Sequence, residues 1–207
     1  MELRLWLAFA ITSLVIGLVP GPGVTSIVGY AMTSGRRTAL ASVGGMIIGS
    51  IIAMTISLTS VGTLLAGSAT AFHVLKMLGA AYLVTLGILT LFGSRESGLL
   101  KGRRKPIGAR AAFVGNVAVG ALNPKTIMFF VAFAPQFINL HASYLPQAAI
   151  LVATFGTIVA CTDTFYALLA SAAGGLFKYP YAARWFTRAG ACVLIGAGVM
   201  AAVARRA

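Results

Sequence analysis

Asp163 and Lys125 are ionisable residues set deep inside apolar stretches of the sequence, and Pro20, Pro22 and Pro124 interrupt stretches of the same kind. A charge at mid-bilayer costs about 2.5 to 3.5 kcal/mol on insertion scales, so both charged residues should face the interior of a helix bundle rather than lipid. Asp163 could there hold a substrate ammonium or carry a proton. Lys125 could meet a substrate carboxylate, or pair with Asp163 as a structural ion pair. At about 1.5 Å of rise per residue, the helix limits expected below put the two backbones roughly 8 Å apart in depth, within reach of a lysine.

The prolines act through the backbone. Lipid offers no water to polar groups freed at a helix break, so a break persists only where protein or a polar cavity surrounds it. Asn is a favoured N-cap and Pro a favoured first helical residue, so Asn123-Pro124-Lys125 reads as a helix start within the membrane. Gly21-Pro22, inside Pro20-Gly21-Pro22-Gly23, has the same grammar. Half-helices starting there would present unpaired N–H groups and a partial positive charge to a cavity, an environment that suits a carboxylate. The competing reading is that the prolines only kink packed helices. Two breaks at corresponding positions favour the binding site. Tyr166, one turn after Asp163, and Asn116, seven residues before Asn123, could share those faces, with ordinary interhelical hydrogen bonding as their other use.

The elements that carry these residues follow from composition. The 207 residues are 59% hydrophobic and 9% charged. An ordinary soluble domain is about 25% charged, so the expectation is an all-α, polytopic membrane protein. A span needs about 20 residues. The charge-free runs then give six transmembrane helices, at about 3–30, 40–66, 72–92, 110–135, 146–172 and 185–204, with turns near Gly67-Ser68 and Asn139 to Ser143. Connections are short, so the whole of 1–207 reads as one transporter domain.

The net charge of +13 is not a nucleic-acid footprint, because the basic residues sort by loop. Arg36 and Arg37, the cluster from Arg95 to Arg110, and Lys178, Arg184 and Arg188 make eleven on one side. Arg4, Lys76, Arg205 and Arg206 make four on the other. Lys/Arg bias toward the cytoplasm sets both termini outside, with anionic lipid as a further partner of the basic side. The N-terminal apolar run has no convincing cleavage site and reads as a retained helix rather than a signal peptide.

The two halves of the chain resemble each other. Gly49-Ser-Ile-Ile-Ala-Met-Thr55 aligns with Gly156-Thr-Ile-Val-Ala-Cys-Thr162, and the Gly79–Gly87 string aligns with Gly190–Gly198. Gly17-Leu-Val-Pro20 resembles Gly120-Ala-Leu-Asn-Pro124 with one insertion, and all three pairs occur in the same order. Repeat one covers about 1–93 and repeat two about 110–207. Three spans per unit is an odd number, so the second unit must run inverted across the bilayer. Two inverted three-helix repeats with broken first helices are the pattern of secondary transporters, which bind substrate near the midplane.

Other features carry less. Gly17-x-x-x-Gly21 and Gly45-x-x-x-Gly49 allow close helix contact, within one subunit more often than between copies in a homodimer. His73 and His141 fall in outer loops without metal-site spacing, and Cys161 and Cys192 form no CxxC or metal pattern. No metal and no cofactor is expected.

The Pro-Gly-Pro element at 20–22, the Leu-Gly-Ala-Ala-Tyr-Leu run from Leu78 to Leu83, and Asn-Pro-Lys at 123–125 followed by Ala-Pro-Gln-Phe at 134–137 occur in order along the chain. In this the sequence is similar to the LysE/RhtB family of bacterial amino-acid exporters. The resemblance implies efflux across the inner membrane of amino acids or close derivatives, such as homoserine, threonine, lysine or homoserine lactone, driven by the proton gradient. One departure is Val19, where relatives often place Ser or Thr, which removes a hydroxyl from the expected site.

The expected function is therefore proton-coupled export of a small zwitterion. Its carboxylate would sit at Gly21 to Gly23 and Asn123 to Lys125, and Asp163 would receive the ammonium or the proton. The rivals are a passive channel or structural membrane subunit and, further off, an intramembrane thiol enzyme using Cys161 and Cys192.

Overall fold

The computed structural model describes residues 2–67, 69–92, 106–139 and 142–172, with isolated positions 192, 195, 196, 199 and 203 beyond them. Among the described residues no strand occurs. In order, the helices are α1 (Leu3–Leu18), α2 (Pro22–Ser34), α3 (Arg36–Gly67), α4 (Ala69–Phe92), α5 (Ala109–Ala121), α6 (Pro124–Ala132) and α7 (Tyr144–Ala172), with a 3-10 turn at Ala134–Phe137 after α6. Among the described residues, four segments are long and apolar enough to cross a membrane: Arg36–Gly62 of α3, α7, the stretch Ala109–Phe137, and α1 with α2 taken as one span bent by 49°. Apart from those isolated positions, the sixth expected helix and the Gly190–Gly198 string lie outside the described residues, as do His141 and residues 93–105.

Both breaks form where proline cannot continue a hydrogen-bond ladder. α1 ends at Leu18, Val19 is extended, and Gly21 precedes α2 with Pro22 as its first residue. α5 ends at Ala121, and Asn123 caps α6 with Pro124 as its first residue. α3 ends at Gly67 and α4 already begins at Ala69, a tight connection. That tightness corrects the placement of His73, which sits exposed on α4 rather than in a loop. Arg36 and Arg37 likewise form the first turn of α3, because the connection shrinks to Gly35, whose φ of 83° suits a residue without Cβ. With 32 residues, α3 runs about 48 Å, enough to carry both arginines past a hydrocarbon layer of about 30 Å.

Two kinds of packing hold the helices. Gly45 and Gly49 let α3 lie backbone to backbone on α5: a Cβ at Gly45 would collide with the Phe113 carbonyl, and one at Gly49 with the Val117 carbonyl. The small-residue motif at 45–49 is thus consumed inside the chain. Aromatic rings do the same for α6. Phe129 stacks on Phe155 of α7 at 5.5 Å, Phe130 meets Phe155 edge-on at 5.1 Å, and Phe9 of α1 lies 5.4 Å from Phe137. Outside, Leu78, Leu122 and Leu145 are 63%, 75% and 79% exposed. Apolar surface on that scale needs a nonaqueous neighbour, which lipid provides.

Candidate functional site

The break in the first span frees carbonyls at the end of α1, and side chains from α6 and α7 satisfy them. The Lys125 ammonium donates to the Ile16 carbonyl at 3.2 Å and to the Val19 carbonyl at 3.0 Å. The Tyr166 hydroxyl donates to the Leu18 carbonyl at 2.7 Å. A cation at a helix C-terminus is also favoured by the helix dipole. Val19 therefore contributes its carbonyl, and its side chain is buried.

The second break is capped locally. Asn123 accepts the Lys125 backbone N–H at 3.1 Å, and the same bond fixes the start of the helix that aims the lysine side chain. By contrast Gly21 offers no side-chain cap to α2. The first-turn N–H groups of α2 have no acceptor within their own helix.

Between the two breaks lies a cavity of about 30 Å³. Its polar wall includes Asn123, Lys125, Asp163, Thr162 and Ser50, and Gly17, Gly21 and Gly23 bring backbone close to it. Val24, Met46, Phe155 and Val159 supply the apolar part. Asp163 is 5% exposed, and among the described residues its carboxylate makes no hydrogen bond and no contact ion pair. Lys125 and Asp163 make no direct contact pair, because the ammonium turns to the α1 carbonyls, and the two charges interact only at longer range. The carboxylate lines the cavity without a hydrogen-bond donor of its own among the described residues.

Of the ten residues singled out from the sequence, Gly21, Gly23, Asn123, Lys125 and Asp163 line this cavity. Pro20, Pro22 and Pro124 shape the breaks without lining it. Asn116 does not reach it either. Fully buried, it accepts from the Ser26 hydroxyl at 2.8 Å and donates to the Ser42 carbonyl at 3.2 Å, tying α2, α3 and α5 together. The shared face with Asn123 is lost because the break at Leu122 resets the helical phase. Tyr166 points at α1 instead of into the cavity.

Sequence reasoning missed Gly17, Met46, Phe155 and the small hydroxyl residues Ser50, Thr126 and Thr162. Ser50 and Thr162 stand inside two strings that align between the halves of the sequence, and that position was a usable signal. Met46 and Phe155 carried none, being apolar residues in helices that are apolar on every side. Cys161 and Cys192 are both exposed, and no metal-binding cluster occurs among the described residues.

Comparison with known proteins adds the following. The sequence model of the LysE type translocator family matches residues 14–205. A homoserine/homoserine lactone efflux protein of Salmonella typhimurium is 31% identical over 207 residues, covering 100% of both chains. An uncharacterized membrane protein of Vibrio cholerae is 31% identical over 205 residues, 99% of this chain and 100% of its own. A leucine efflux protein of Klebsiella pneumoniae is 29% identical over 170 residues, 80% of this chain and 79% of its own. No solved structure matches.

Proposed function

The chain belongs to the LysE type translocator family, a membrane transporter and not an enzyme, and from that premise we propose that it exports small amino-acid-like zwitterions across the inner membrane in exchange for protons. The observation that carries this reading is the meeting of opposite polarities in one cavity: the uncapped start of α2 and the Lys125 ammonium, and the buried Asp163 carboxylate, which has no hydrogen-bond donor among the described residues. A zwitterion has the matching pair of ends.

The substrate carboxylate docks at the first turn of α2, where N–H groups are free and the dipole is positive. Lys125 uses two of its three donors on α1 carbonyls, so it contributes positive potential and at most one further hydrogen bond. Asp163 takes the substrate ammonium in one half of the cycle and a proton in the other. That alternation makes the exchange obligatory.

Alternating access comes from two inverted three-span units, about 1–93 and 110–207 within one domain, rocking about the cavity. The positions of both breaks in corresponding helices support this reading, as does the loop distribution of Lys and Arg for termini outside. The efflux names of the relatives support the direction and the substrate class.

Counterflow in proteoliposomes is the test. Wild-type protein should exchange labelled homoserine or threonine saturably, and an imposed pH gradient should drive accumulation that a protonophore abolishes. Flux without saturation or counterflow would mean a channel. Asp163→Asn should lose proton-driven accumulation at least about 100-fold, in line with the loss of an essential acid–base group. An Asn variant that transports like wild type removes the role given to Asp163.

A further inference from the structure

The cavity volume, about 30 Å³, has room for about two waters. A transported amino acid therefore needs side-chain volume to move aside, and most of the walls are fixed. Phe155 is wedged between Phe129 and Phe130. Val24 and Val159 are short and stiff at χ1. The Thr162 hydroxyl is bonded to the Ile158 carbonyl at 2.9 Å.

Met46 is different. It is long, unbranched and only 2% exposed, and its thioether tip lies on the Cα of Gly23: a Cβ built there would overlap Met46 Cε and come within 3.0 Å of Sδ. Its backbone cannot retreat, because the Met46 carbonyl would already be 2.7 Å from a Cβ at Gly120 on α5. Only the side chain can yield, and methionine has three rotatable bonds with which to do so.

The place it occupies has a meaning within the reading above, on which this inference rests. The substrate's carboxylate sits at the first turn of α2 and its ammonium at Asp163. The substituent on the substrate Cα then projects toward the apolar wall, where Met46 stands. We infer that Met46 sets the upper size limit of the transported side chain, so that the wild-type protein selects amino acids with short side chains of the size of homoserine or threonine and excludes those of leucine size.

The experiment is counterflow with purified full-length protein in proteoliposomes, measuring kcat/KM for homoserine and for leucine. Met46→Ala should raise the leucine-to-homoserine ratio at least about tenfold, the scale on which missing methylenes change discrimination in an apolar pocket. Met46→Leu, which conserves volume, should keep the ratio near wild type. If Met46→Ala does not elute as folded protein, Met46→Val gives the same direction with a smaller shift. A ratio unchanged in folded Met46→Ala or Met46→Val, while wild type transports homoserine, overturns the inference and leaves the exporter reading standing. A wild-type ratio already favouring leucine overturns it too. Wild-type protein that exchanges neither amino acid overturns the exporter reading itself, and this inference with it.

Discussion

At the first break the chain bends by 49°, and the carbonyls freed at the end of α1 are met by residues 106 to 148 positions away in sequence. At the second, α5 and α6 continue as one apolar segment and Asn123 caps an amide two residues on. The first break is held by tertiary structure and the second by its own sequence. Any motion that carries α6 and α7 away from α1 must exchange the bonds of Lys125 and Tyr166 for others, whereas the second break can travel as a unit. On the proposed reading, the coupling between substrate binding and conformational change would sit at the first break, beside the cavity.

Lys125→Ala should have the largest effect. It leaves the Val19 carbonyl without its ammonium donor and removes the same donor from Ile16. Two charge-assisted bonds and a buried acceptor left unmade should cost about 2–4 kcal/mol. Thermal unfolding in detergent should show the loss as a lowered Tm, with transport abolished. Asp163 bonds nothing among the described residues, so Asp163→Asn should lose transport while its Tm stays near wild type. A Lys125→Ala protein as stable as wild type would make the two breaks equivalent.

Next in size is Gly23→Ala. The added Cβ overlaps the Met46 tip, the far end of a flexible side chain that can shift, so the overpacking should cost about 1 kcal/mol, the low end of its usual range. Met46→Ala in the same chain should recover most of the loss, with a coupling energy of about 0.5–3 kcal/mol in a double-mutant cycle. Strict additivity would show that the thioether does not press on the start of α2, and the first break would then be set by its carbonyl side alone.

How much of this was legible in the sequence follows the same division. Asn123-Pro124 announced its own cap, and the prolines at 20 and 22 announced a break, because both signals are local and chemical. Five of the six expected spans have helical counterparts among the described residues, for hydrophobic run length is also local. The partners of Lys125 were hidden. Whether an ammonium meets a carboxylate or two backbone oxygens depends on which helix ends meet in space. The same holds for Asn116, whose spacing from Asn123 suggested one face until the break changed the phase between them. Tyr166 was rightly placed one turn from Asp163, yet its longer side chain reaches past the cavity to Leu18.

The smallest effects separate the two kinds of support most cleanly. Tyr166→Phe removes one neutral hydrogen bond to Leu18, and Asn123→Ala removes one helix cap. Each should cost about 1 kcal/mol, so Tm alone cannot tell them apart. Hydrogen exchange can, because it reports local opening. Loss of the Asn123 cap should raise exchange in the first turn of α6 and nowhere else. Loss of the Tyr166 bond should loosen the last turn of α1 and, since that end is clamped between α6 and α7, should also speed exchange where α7 carries Asp163. If Tyr166→Phe changes only α1, the clamp is a set of independent bonds and the first break is as local as the second. If exchange rises on both sides, the end of α1 and the helix bearing the cavity carboxylate open together, as a break held by tertiary structure requires.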